Sequence, residues 1–184
     1  MKTLATTASA AALLLLATAG ASPARPTADA PCAGQIHPNP GFESGTTGWT
    51  AGPRIVVFGN AARPAHTGQA YATFAGLDVT RGDLLRTTAT VPAGCTLTVR
   101  FWVRTTTTET SRGDYLNVGL AVTGTPPKTR FSLAFDGGSP WREYAMSTGT
   151  ATTERTATVS FLASETAGNG ATAFDVDDVT LTLS

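Results

Sequence analysis

The run LTVRFWVR, residues 97–104, alternates without a fault. Leu97, Val99, Phe101 and Val103 fall on one side of an extended chain, and Thr98, Arg100, Trp102 and Arg104 on the other. A period of two is that of a strand with one buried face. YLNVGLAV (115–122) repeats it, with Leu116, Val118, Leu120 and Val122 inward and Tyr115, Asn117 and Gly119 outward. Further strands are expected at RIVVF (54–58), QAYATFA (69–75), RFSLAF (130–135), REYAMS (142–147), TATVSFLA (156–163) and FDVDDVTLTL (174–183). Turn chemistry such as TGTPPKT and DGGSP separates them. Many short strands punctuated in this way suit an all-β fold of two packed antiparallel sheets.

Outward from this body, the amino terminus has a different character. Lys2 supplies a positive start, AALLLLATA (11–19) an apolar core, and Ala19-Gly20-Ala21 a small-x-small cleavage site, with Ala17-Thr18-Ala19 as the alternative. The apolar run falls short of the roughly 20 residues a membrane span needs. Residues 1–21 therefore read as an export signal, 22–31 (SPARPTADAP) as a Pro/Ala-rich linker, and 32–184 as one folded domain. A secreted, extracellular location follows, with no membrane contact after signal cleavage.

The chain of 184 residues has a formal net charge of zero and only 14% charged residues, and Lys2 and Lys128 are its only lysines. No basic patch exists for nucleic acid or an anionic membrane. In an exported chain the two cysteines, Cys32 and Cys95, are expected to form one disulfide. Closing a loop of that length is worth about 4 kcal/mol on the loop-entropy model. His37 and His66 lack the spacing to these cysteines that a metal site needs.

Four stretches occur in a suggestive order: NPGFESGTTGW (39–49), AHTGQAYA (65–72), VPAGCTLTVRFWV (91–103) and FDVDDVTL (174–181). Together they resemble the CenC-like carbohydrate-binding modules, jelly-roll β-sandwiches of the galactose-binding-domain-like fold. The likeness is to the versions appended to secreted actinobacterial hydrolases and peptidases, and it covers nearly all of residues 32–184. It implies a structural calcium ion held by Glu43, by one or both of Asp177 and Asp178, and by a carbonyl near Gly68. A hard cation takes six to eight oxygens, and paired carboxylates without one repel. The competing reading of these acids is a solvated sheet edge that discourages aggregation. Phe42 and Trp49 are core residues in this pattern.

Sugar binding needs flat apolar faces with polar neighbours. Trp102 is the sharpest candidate, flanked by Arg100 and Arg104 on the outward face. Tyr115 and Asn117 join it if their strand pairs alongside. The competing reading is that a loop covers Trp102 and that an arginine packs on it. Some family members bind through loops at one end of the sandwich, where Tyr71, Trp141 or Tyr144 would contribute.

Catalysis finds little support. There is no G-x-S-x-G elbow, HExxH or phosphate-binding loop. Glu109, Asp114, Asp136, Glu143 and Glu165 include no pair that stands out as a glycosidase couple, and they read as a solvated surface. The expectation is a non-catalytic module that binds a polysaccharide or glycan by aromatic stacking and hydrogen bonds. A secreted enzyme or the cell surface is a further candidate partner. The alternative is a secreted structural or protein-interaction domain without a sugar site, and a small hydrolase ranks below both.

Overall fold

The computed structural model describes residues 32–125, 129–134 and 138–184; the expected signal peptide and linker lie outside the described residues. The described residues form eleven strands: β1 Gly34–Gln35, β2 Thr50–Ala51, β3 Val56–Phe58, β4 Ala70–Ala75, β5 Arg81–Val91, β6 Thr96–Thr107, β7 Tyr115–Val122, β8 Thr129–Ala134, β9 Ser139–Thr150, β10 Arg155–Glu165 and β11 Thr172–Leu183. They form two antiparallel sheets. The first runs β3-β4-β11-β6-β9 with β1 also on β11, and the second runs β2-β5-β10-β7-β8. Among the described residues no helix is long and apolar enough to cross a membrane.

Alternation places the core. Leu97, Val99, Phe101 and Val103 of β6 point between the sheets, as do Leu116, Val118 and Leu120 of β7, and all are buried. Phe101 meets Phe161 of the opposite sheet edge to face at 5.2 Å, and Phe74 lies 6.4 Å from the same ring. A buried aromatic side chain contributes several kcal/mol in such a layer, the aromatic contact adding about 1 kcal/mol to the area term.

Three strands escaped the sequence pattern, the two-residue β1 and β2 and the long β5. The inward positions of β5 are Asp83, Leu85, Thr87, Ala89 and Val91, so polar residues interrupt its apolar alternation. Its neighbours explain them. Asp83 accepts the Ala75 N–H at 2.8 Å and pairs with Arg81, while the Thr87 hydroxyl donates to Gly48 O at 2.9 Å.

The opening stretch is a braced turn. Asn39 donates to the carbonyls of Gly45 and Thr47 at 2.9 and 3.2 Å and accepts the Ser44 N–H at 3.1 Å. The Trp49 indole donates to Asn39 O at 3.1 Å. Phe42 and Trp49 are in the core, as expected, with Phe42 at φ 60.

Cys32 and Cys95 form the expected disulfide, with a Cα–Cα distance of 5.1 Å. The same corner receives the carboxyl-terminal end. Thr96 N donates to Ser184 O at 2.8 Å, Ser184 N donates to Thr96 O at 3.0 Å, and β1 pairs with the last residues of β11.

Candidate functional site

The residues named for calcium meet where β11 breaks its register. Asp177 pairs with Trp102 of β6, and the next pair, Thr180 with Arg100, lies across a bulge. At the bulge Asp178 takes φ 48. The segment 66–70 lies against it. Asp177 Oδ2 accepts the N–H groups of His66 and Thr67 at 2.9 and 3.2 Å, and its Oδ1 accepts the Asp178 N–H at 2.7 Å. Asp178 meets His66 Nδ1 at 2.6 Å and accepts the Thr67 hydroxyl at 2.6 Å. Glu43 Oε1 accepts the N–H groups of Gln69 and Ala70 at 2.8 and 2.9 Å, directly over Gly68.

Burial pushes the Asp177 carboxyl up to about 6; the Asp178 charge adds to this, and the backbone hydrogen bonds oppose it. These oxygens are of the kind a hard cation takes. Their disposition is another matter. Among the described residues no group of three or more His, Cys, Asp or Glu side chains is placed to hold a metal ion. The carboxylates instead face N–H and O–H donors and pin the 66–70 segment to β11.

The outward face of the first sheet carries Trp102. His66 stacks on it at 4.0 Å between centroids, and Trp141 meets His66 edge-on at 5.6 Å. Beside them Asp175, fully buried, receives two guanidinium groups: Arg63 at 2.9 and 2.5 Å, and Arg104 at 2.9 and 2.7 Å. Burial works against the Arg63 charge, but Asp175 outweighs it and holds that pKa above its ordinary value. Arg104 also lies over the Trp141 and Tyr71 rings, at 4.5 and 5.5 Å. Arg100 pairs with Glu143 at 3.4 Å on the same face. His66 therefore lies on one face of Trp102, which stays half-buried, while the arginine packs on Trp141 and Tyr71 rather than on Trp102.

Tyr115 and Asn117 do not join that face. Strand β6 lies in the first sheet and β7 in the second, so Trp102 and Arg100 sit on one outer surface and Tyr115 and Asn117 on the opposite one. Alternation separates inward from outward residues, but it carries no information on which sheet a strand enters. On the second surface, the row Leu84–Leu162–Asn117–Ser132 runs across the strands, next to the row Arg86–Ser160–Gly119–Thr129. Gly119 has no side chain to fill its place. A hollow of about 140 Å³ opens there, lined by Asn117, Gly119, Leu120, Ala121, Thr129, Ser160 and Leu162. Tyr115 lies two residues along β7 on the same face. Glycine inside an alternating strand was the sequence signal for this feature.

The acids read as a solvated surface need correction. Glu109, Asp114 and Glu165 are buried, Asp114 completely. Asp114 accepts the N–H groups of Thr166 and Thr172, both at 2.8 Å. Glu109 accepts the Thr172 hydroxyl at 2.5 Å, and Glu165 accepts the Leu77 N–H at 2.5 Å. They hold loops at one end of the sandwich, where backbone donors need acceptors. Glu143 alone keeps an exposed position, and Asp136 lies outside the described residues. Tyr144 points inward and stacks on Phe101 at 5.6 Å.

No family model matches the chain, and no curated protein does. Solved structures do. TmCBM61 in complex with beta-1,4-galactotriose is 23% identical, with 80% of this chain and 95% of that one covered and a TM-score of 0.56. A Family 16 Carbohydrate Binding Module-2 is 17% identical over 78% of this chain and 96% of that one, with a TM-score of 0.51. A cyclase from Fischerella sp. TAU, in complex with 4-(1H-indol-3-yl)butan-2-one, is 14% identical over 83% and 98%, also with a TM-score of 0.51. At these identities the likeness is one of fold. The chain is an all-β jelly-roll sandwich of the kind that carbohydrate-binding modules share, and the cyclase shows that an enzyme uses it too.

Proposed function

We propose that the protein is an exported, non-catalytic carbohydrate-binding module of the CenC-like type, whose glycan lies across the outer face of the second sheet. One observation carries this reading. The hollow over Gly119 is rimmed by Asn117, Thr129, Ser160 and Leu162, and Tyr115 stands on the same face two residues before Asn117. Amide and hydroxyl groups next to apolar surface are what a pyranose ring needs, since its edges carry hydroxyls and its faces C–H groups. Trp102 and Arg100 then belong to the packing of the opposite face, because His66 stacks on one and Glu143 pairs with the other. A polysaccharide on a cell surface or a substrate of a secreted enzyme is the natural partner.

A structural calcium ion at Glu43, Asp177, Asp178 and the Gly68 carbonyl is the second element of the proposal. What supports it is the resemblance, together with a buried acid whose charge is disfavoured where it stands. Binding an ion there requires Asp178 to turn away from His66 and Thr67. Chelation with EDTA is expected to lower the melting temperature by several degrees, and an unchanged melting temperature rejects the ion.

Retention on a panel of immobilised polysaccharides tests the glycan. Wild type and Trp102→Ala should be retained alike, while Tyr115→Ala and Asn117→Ala should lose retention without losing their fold. Loss in Trp102→Ala alone would move the site to the first sheet. No retention of folded protein on any glycan would favour the interaction domain instead.

A further inference from the structure

The two outer faces handle charge differently. On the first sheet Arg63 and Arg104 pair with Asp175, and Arg100 pairs with Glu143. On the second sheet, the outward positions of β5 (even numbers 82–90), β7 (odd numbers 115–121) and β10 (even numbers 156–164) hold no Asp or Glu at all. One arginine stands among them. Arg86 is exposed, and among the described residues it has no hydrogen-bond or ion-pair partner. It is the cross-strand neighbour of Ser160, which in turn neighbours Gly119, so Arg86 and the hollow lie in one row. A second hollow, of about 390 Å³ and lined by Arg86, Thr50 and Thr158 among others, continues that row to the edge strand β2.

We infer that the glycan bound on this face is acidic, and that Arg86 is the residue that selects its carboxylate. The inference rests on the proposed glycan site and names its substrate class. Two strand spacings separate Arg86 from Gly119, roughly 10 Å, a span that a disaccharide covers. A sugar ring seated over Gly119 between Asn117 and Ser160 therefore places its neighbour within reach of the guanidinium. That group takes a carboxylate bidentately, whereas a neutral ring offers it only single hydroxyls. With no acid at these outward positions of β5, β7 and β10, none of them competes for Arg86 or repels a uronate. The hydroxyls and the single amide at the remaining positions suit the other, uncharged edges of such a sugar.

Affinity electrophoresis of the full protein in gels of polygalacturonate, of its methyl ester and of neutral galactan tests this, with Arg86→Gln, Asn117→Ala and Trp102→Ala alongside. The expected result is strong retardation by polygalacturonate and weak retardation by the ester. Arg86→Gln should weaken the former roughly five- to tenfold, the low end of a charge-assisted contact because the arginine is exposed. Raising salt from about 0.05 to 0.5 M should weaken wild type far more than Arg86→Gln. Circular dichroism confirms that each variant is folded. Equal retardation by acid and ester, lost in Asn117→Ala but not in Arg86→Gln, overturns the acidic glycan and leaves the site standing. Retardation by polygalacturonate that Arg86→Gln leaves intact overturns the role of Arg86. No retardation in any gel removes both the inference and the glycan reading beneath it.

Discussion

The Glu43 carboxylate occupies the space that a side chain at residue 68 would need. Gly68 sits at φ 60, and a β-carbon built there collides with Glu43 Oε1, the atom that accepts the Gln69 and Ala70 N–H groups. This one contact ties the opening turn to the start of β4.

Gly68→Ala is therefore expected to cost about 2–4 kcal/mol, from left-handed strain of about 1–2 kcal/mol and the disturbed carboxylate contacts. Gly45 is the control, since it has φ 63 and nothing within 4 Å of its added carbon. Gly45→Ala should cost only the strain. Urea denaturation of both variants checks this, and equal losses would show that the Glu43 contact contributes little.

Asp175 holds two arginines at one point inside the loop covering. Asp175→Asn leaves Arg63 and Arg104 close together with no counter-charge and should destabilise by roughly 3–5 kcal/mol. Arg63→Met should cost less, because Arg104 still neutralises Asp175 and the Arg63 side chain is 35% exposed. The melting temperatures of the two variants give the ranking directly. The reverse order would mean that the arginine stems, rather than the charges, hold the loop.

His37 gives stability a pH dependence with a definite sign. Burial lowers its pKa from the ordinary 6.5, against the pull of the Gly48 carbonyl. Its Nδ1 accepts the Asn39 N–H at 3.2 Å, its ring lies 4.3 Å from Trp49, and Nε2 faces Gly48 O. Below 6.5 the unfolded chain binds a proton that the folded chain resists. This contribution is complete above that pH and lost as pH falls through and below it. The melting temperature of wild type relative to His37→Gln should fall as pH drops from 8 to 5, on top of the opposite slope that the raised Asp177 carboxyl gives both proteins. Parallel profiles would assign the acid sensitivity elsewhere.

The Cys32–Cys95 bridge spans 63 residues of sequence, and its removal is expected to cost about 4 kcal/mol on the loop-entropy model. A double Cys→Ser variant compared with wild type in guanidinium measures it. A loss below about 1 kcal/mol would mean that β1 on β11 already confines the amino-terminal end.

The strands with apolar residues at every second position, β6 and β7 above all, were legible because burial of one face leaves a two-residue signature. The opening turn was legible through Phe42 and Trp49, and the disulfide through the bare count of cysteines. Strand β5 was not, since Asp83 and Thr87 occupy inward positions to satisfy turn and loop groups from elsewhere in the fold. The grouping of Trp102 with Tyr115 failed for a related reason. Alternation is a local property, while the assignment of β6 and β7 to different sheets depends on pairings with β11 and β10 distant in the chain. Asp114 and Glu165 looked like surface acids because their partners are backbone N–H groups, which leave no mark on side-chain patterns, and Glu109 because its side-chain donors, Thr172 and Asn169, lie some 60 residues away in the chain.

The corner at Cys95 and Thr96, where Cys32 and Ser184 both arrive, has a topological consequence. With its two ends fastened at one place, the sandwich is close to a closed ring. New termini opened in an exposed turn such as the one at Gly124, with a short linker joining Ser184 to Cys32, should leave the same two sheets standing. For the same reason the sandwich can be spliced into a surface loop of another protein through that single corner, while the Gly119 row faces away from the first sheet and its loop covering.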